Sequence, residues 1–198
     1  MGKSIEERIE ELEKKVSNLT MEKQTKISKS LGIGDIFQLA GLVWKILDIT
    51  EQGYMCHALD PLIKGQFDNS NNNWEKSSLR KRLAELADQI ADEVGVNNIV
   101  SFERNLISLD GQTEYGLCMD RVSLLTVDEY RQYRSLLPNT GDYWWWLLTP
   151  WSTACNDDKT WVTVVSPAGR IGNCIYDVNY GVRPFCILSS AIFESEDK

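Results

Sequence analysis

The chain has 198 residues, 42% of them hydrophobic and 25% charged, which suits one folded domain with an appendage or two small domains. Its net charge is −8, and its only dense basic cluster (Arg80, Lys81, Arg82) sits among acids in a helical stretch, which argues against direct nucleic-acid binding. No apolar run approaches the roughly 20 residues of a membrane span, and the polar start lacks the apolar segment of a secretory signal.

Residues 1–27 read as an oligomerising helix. Ile5, Ile9, Leu12, Val16 and Leu19 alternate in steps of four and three, the a/d pattern of a coiled coil. The competing reading is an amphipathic helix packed on its own domain. Nothing in the a and d residues chooses between dimer and trimer. Residues 28–35 form a linker, broken by Ser30, Gly32 and Gly34. The runs Ile36–Thr50 and Tyr54–Leu59, joined by Glu51-Gln52-Gly53, predict a β-hairpin. Asp68 to Asn73 is a polar loop. Asn73 caps a helix from Trp74 to Val94 whose apolar stripe is Leu79, Leu83, Leu86, Ile90 and Val94 and whose stop is Gly95. Thr126-x-x-Glu129 is a capping box for a second helix through Tyr130 and Tyr133 to Leu137, ended by Pro138. Strands are expected at Trp161–Val165 and Gly181–Leu188, with a turn at Ser166-Pro167-Ala168-Gly169. Residues 191–198 are an acidic tail.

Chemistry-bearing motifs are missing. His57 is the only histidine and neighbours Cys56 on a strand, where adjacent side chains point to opposite faces, so the two do not form a nucleophile–base pair. Five cysteines (Cys56, Cys118, Cys155, Cys174, Cys186) without a C-x-x-C spacing argue against a zinc site and a full disulfide framework, and for reduced thiols made in a cytoplasm. A single bridge, Cys155 to Cys174, stays open. Asp60 and Asp157-Asp158 show no ligand spacing, so a calcium ion is not indicated. No cofactor, metal or catalytic residue is assigned. Seven tryptophans raise the prior for a recognition surface.

Several blocks fall in a distinctive order. They are Val43-Trp44-Lys45-Ile46-Leu47-Asp48; Trp74-Glu75-Lys76-Ser77-Ser78-Leu79-Arg80; and Leu124-Leu125-Thr126 with Glu129 and Tyr133. Next come Tyr143-Trp144-Trp145-Trp146-Leu147-Leu148-Thr149-Pro150, then Val164 to Gly169, then Gly181-Val182-Arg183-Pro184. Over residues 34–189 the chain resembles a family of uncharacterised domains of Firmicutes and their phages with W-W-L-R-S-P and G-V-R-P-A hallmarks. Here Leu148-Thr149 stands for the family's Arg-Ser, and Phe185 for its small residue. That family is similar to the C-type-lectin-like fold of formylglycine-generating enzymes and of the variable proteins of diversity-generating retroelements.

The resemblance implies an α+β, C-type-lectin-like domain over residues 36–190, made of small twisted antiparallel sheets with two helices and preceded by the coiled-coil helix. It implies a ligand-facing, diversified surface between the two hallmark blocks. The expected ligand residues are Trp151, Ser152, Thr153, Asn156, Asp157, Asn173, Ile175, Tyr176, Asp177, Asn179 and Tyr180, side chains of the kind adaptable paratopes favour. The expected function is recognition of a protein or glycan by a homo-oligomeric, phage- or retroelement-associated protein, made in the cytoplasm and carried on a virion. The alternatives are an oxidase of the formylglycine-generating type and a virion structural or assembly protein. Trp151 is the expected exposed anchor, and Arg183 is expected in a buried ion pair.

Overall fold

The computed structural model describes residues 31–193. Ile5, Ile9, Leu12, Val16 and Leu19 lie outside the described residues, as do residues 194–198 of the acidic tail. The described part of the expected linker is already tied to the domain: Asp35 accepts from the Gly32 N–H, and the Gly34 N–H donates to Ile46.

The architecture is α+β, with mostly antiparallel sheets and two α-helices. The first sheet orders β1 (Ile36–Leu39), β2 (Leu42–Thr50), β3 (Gly53–Ala58), β13 (Phe185–Leu188) and β5 (Ile99–Val100), with β8 (Val122–Ser123) also on β13. The second orders β11 (Ile171–Ile175), β10 (Trp161–Val165), β9 (Trp145–Pro150), β12 (Tyr180–Val182) and β4 (Ile63–Gly65); only the β9–β12 pair is parallel. A small hairpin joins β6 (Phe102–Asn105) to β7 (Leu117–Asp120). The helices are α1 (Ser78–Val94) and α2 (Val127–Gln132).

The α1 stripe lies as its spacing predicts. Leu79, Leu83, Leu86 and Ile90 are buried in one cluster with Trp44, Ile46, Trp146, Leu148, Val162 and Val164. Each such side chain stabilises the fold by roughly 1.5–3 kcal/mol relative to exposure. A second cluster lies on α2: Tyr130 and Tyr133 pack with Leu47, Trp145, Leu147, Val165, Phe185 and Ile187. The central strands thus sit between two apolar layers, which explains their continuous hydrophobicity. Arg80 is held by Asp120, whose other oxygen accepts the Trp74 indole N–H. No helix of the described residues is long and apolar enough to cross a membrane.

Several boundaries differ from the sequence reading. Ile36–Thr50 is two strands, because Ala40 and Gly41 both take positive φ (50° and 72°) and make a tight turn of the type that matches strand twist. A bulge between Ile46 and Asp48 turns Leu47 into the second cluster. Trp74–Lys76 is a 3-10 turn capped by Asn73, and Ser77 caps α1 itself. The capping box at Thr126 and Glu129 is present, but α2 ends at Gln132 and a 3-10 turn follows at Arg134–Leu136. Gly181–Leu188 is not one strand. At Arg183-Pro184 the chain leaves the second sheet for the first, so β12 and β13 have different neighbours. All five cysteines are free thiols, and no bridge joins Cys155 to Cys174.

Candidate recognition surface

Strand β9 alternates between two apolar clusters, so both of its faces are core. Trp145 is buried in the α2 cluster and Trp146 in the α1 cluster. Trp144, just before the strand, is 36% exposed and stacks on Tyr180 at 6.0 Å between ring centres. Exposure begins at the strand ends and in the loops.

Trp151 is 37% exposed, and its N–H donates to the carbonyl of Trp161, which is 42% exposed. Trp161 in turn pairs with Ile175 on β11. Three large apolar residues therefore occupy neighbouring positions across β9's end, β10 and β11. Thr163 pairs with Asn173, and Val165 with Ile171, but Thr163 and Val165 are themselves buried. Asn173 and Ile171 are exposed, and Ile175 is half-buried.

The loop from Trp151 to Thr160 connects β9 to β10. Asn156 and Asp157 are exposed, and Asp157 takes the left-handed conformation (φ 53°) that ends a 3-10 turn at Ala154–Asn156. Ser152 and Thr153, expected among the ligand contacts, point inward and are buried. The Ser152 hydroxyl donates to Asp110 Oδ2 at 2.7 Å, and the Asn156 amide donates to the same oxygen at 3.3 Å. Ser108 donates to the other carboxylate oxygen of Asp110. These donors, Ser108 first, hold the Asp110 carboxyl below its usual range. Glu114 accepts the Cys155 N–H at 2.8 Å, which lowers its own carboxyl. Among the described residues no group of three potential ligands is placed to hold a metal ion.

Asn72 organises the loop, and sequence reasoning missed it. It is fully buried, and its Nδ2 donates to the carbonyls of Ser152 and Trp161, each at 3.0 Å. Its Oδ1 accepts from the Tyr115 hydroxyl at 2.7 Å, and its N–H donates to the Lys159 carbonyl. Both ends of the 152–161 loop are thus fixed by one side chain. The Asn-rich run gave only a polar loop, and nothing local marks its second residue pair as interior.

The other expected residues separate. Tyr180 is half-buried between Trp144 and Trp146. Tyr176 is half-buried and packs on the α1 cluster, while its carbonyl accepts the N–H groups of Phe67 and Asp68. Asp177 and Asn179 are exposed in the connection between β11 and β12. Trp151 and Ile175 therefore neighbour Trp161, Asn173 lies opposite Thr163 on the same strand pair, and Asn156 and Asp157 lie in the loop before β10. Tyr180 belongs with Trp144, and Asp177 and Asn179 mark the turn between strands. Two grooves of about 440 and 470 Å³ flank the pair of buried Arg104 and half-buried Glu129, and none of the expected ligand residues lines them.

Arg183 is buried, but among the described residues no carboxylate forms an ion pair with it. Its Nε donates to the Ala58 carbonyl at 3.0 Å, and its guanidinium carbon lies 4.6 Å from the Trp145 ring centre. Gly181 is required beside it, since a Cβ there would come within 2.8 Å of the Tyr143 ring. The G-V-R-P block thus serves the crossover between sheets.

Neither the curated proteins nor the solved structures give a match to this chain. The model of one family, described as a domain of unknown function (DUF6273), matches residues 91–190, just over half of the chain and including α2, β9 to β13 and the exposed tryptophan row. The chain belongs to this domain family of unknown function.

Proposed function

We propose that this chain is a non-catalytic recognition protein with a C-type-lectin-like fold, presenting the Trp151–Trp161 edge to a protein or glycan ligand. The observation that carries the reading is the partition of its tryptophans. Trp44, Trp74, Trp145 and Trp146 are buried, whereas Trp144, Trp151 and Trp161 are each more than one-third exposed around one sheet. Exposed indoles are large, rigid anchors that dominate interface energies when a partner covers them. Asn156, Asp157 and Asn173 supply hydrogen-bonding groups around them, as sugar hydroxyls or a polar peptide would require. Antiparallel sheets with two helices are in keeping with the lectin-like reading. Oligomerisation through residues 1–27 would add avidity without new contacts, and a virion surface is the setting where that multivalency is useful.

The test is a glycan microarray probed with the full chain, beside the Trp151→Ala/Trp161→Ala double variant. Binding by the wild type that the double variant loses, with unchanged melting, supports the reading. Binding that survives in the double variant rejects this face.

One observation favours a second reading. An oxidase of the formylglycine-generating type needs two neighbouring thiols, and Cys56 stands directly opposite Cys186 on β3 and β13. Both are fully buried, and burial pushes both thiols well above their usual range, which opposes thiolate ligation of a metal. Copper uptake with loss of two titratable thiols in the native protein would support the oxidase reading; no uptake would reject it.

A further inference from the structure

Buried polar atoms without a partner are few in native folds, and each one asks for an explanation. Among the described residues seven such side-chain atoms occur, and four of them belong to two residues: Nη1 and Nη2 of Arg183, and Nδ1 and Nε2 of His57. Both residues are fully buried. Both lie against one ring, with the guanidinium carbon 4.6 Å and the imidazole centre 5.5 Å from the centre of a Trp145 ring. Among the described residues no carboxylate pairs with Arg183.

Pinning the crossover at Ala58 uses one N–H of the guanidinium. It does not account for a charge, nor for the four N–H donors that remain on Nη1 and Nη2. A buried cation without a carboxylate in direct contact is unfavourable, and the planar fork of arginine matches one partner chemistry above others, a carboxylate bound through two parallel hydrogen bonds. We propose that Arg183 and His57 form an internal binding site for a carboxylate, supplied either by a small free acid or by the terminus of a peptide.

The imidazole suits this role. Burial, and then the charge of Arg183, push His57 well below its usual range, so it is neutral and offers one N–H donor. Three ionisable groups lie within electrostatic reach of the guanidinium: Tyr143, Asp60 and Tyr130. Tyr130 is buried, its hydroxyl bound to the Gly169 carbonyl, whereas Tyr143 and Asp60 reach solvent. The Tyr143 ring rests on Gly181, and it is the side chain that would move to admit a ligand. The site stands apart from the exposed tryptophan edge and does not depend on the function proposed for that edge.

Sodium acetate is the first probe, against sodium chloride at equal ionic strength. The readout is the Arg183 Nε–H resonance of the ¹⁵N-labelled full chain, identified by its proximity to the Trp145 ring. Expected is a saturable shift with acetate only. In Arg183→Lys, followed beside the wild type at the Trp145 indole N–H, the half-saturation should weaken about tenfold or more, as loss of one charge-assisted hydrogen bond implies. A short peptide acid and its C-terminal amide distinguish the sources: a shift with the acid but not the amide assigns a peptide terminus, and a shift with acetate alone assigns a small free acid. If Arg183→Lys does not fold, the wild-type titration still decides. No acetate shift, or the same shift with chloride, overturns the proposal and leaves the guanidinium satisfied by internal water.

Discussion

Replacing Asn72 by Ala should cost far more than its place in a polar, Asn-rich loop suggests. The side chain is fully buried and makes three hydrogen bonds, two donated to the Ser152 and Trp161 carbonyls and one accepted from Tyr115. Each contributes about 0.5–1.5 kcal/mol net, and the partners left behind are buried or half-buried, so the expected loss is about 2–4 kcal/mol. For a domain of this size that lowers Tm by on the order of 10 °C. Asn72→Asp should be worse than Ala. It can still accept from Tyr115, but it cannot donate to either carbonyl and aims a charge at both. Urea unfolding followed by tryptophan fluorescence gives the free energies. Amide exchange should show faster opening of residues 152–161 than of β10 in Asn72→Ala. Losses below about 1 kcal/mol in both variants would refute the claim that one side chain fixes this loop.

Further expectations follow from other contacts. Gly181→Ala places a methyl within 2.8 Å of Tyr143 and 3.2 Å of the Trp144 carbonyl, and should destabilise by about 1–3 kcal/mol in thermal unfolding. Arg104→Met strips Glu129 of a bidentate partner bound at 2.6 and 2.7 Å and should cost about 3–5 kcal/mol in urea unfolding. Burial raises the Glu129 carboxyl, but Arg104 and the Thr126 N–H outweigh it and hold it below its usual range. This part of the stability is therefore present at neutral pH and lost as pH falls below the ordinary glutamate value of about 4.3. His57 acts earlier on the same scale. Its folded pKa is depressed by burial and by Arg183, so the unfolded chain takes up a proton that the fold refuses. Stability should then fall by up to about 1.4 kcal/mol per pH unit below about 6.5, and His57→Phe should flatten that slope.

How much of this was readable differs from element to element, for physical reasons. The α1 stripe was legible because a 3.6-residue period survives any tertiary arrangement, and α2 began where its capping box stands. The turn between Leu39 and Leu42 was not, because Leu-Ala-Gly-Leu continues an apolar run and Ala40 is a poor advertisement for positive φ. The break at Arg183-Pro184 was hidden for a related reason: strands on both sides are buried on two faces and read as one hydrophobic segment. At the proposed recognition surface, the family resemblance pointed to Trp151, Asn156, Asp157 and Asn173, all exposed, but a resemblance of sequence carries no direction. Ser152 and Thr153 have the same polar character and point inward, onto Asp110 in the first case. Trp161 was read only as the start of a strand. Its exposure depends on lying near the edge of the second sheet, which is set by strand order and not by local sequence.

The proposed ligand site is the exposed tryptophan edge. Indole Nε–H resonances give one signal for each of the seven tryptophans, and a glycan that scores on the array can be titrated directly into the labelled protein. The account predicts shifts at Trp151 and Trp161, and lesser ones at Trp144, with Trp44, Trp74, Trp145 and Trp146 unmoved. A bound glycan that leaves Trp151 and Trp161 unshifted would contradict it.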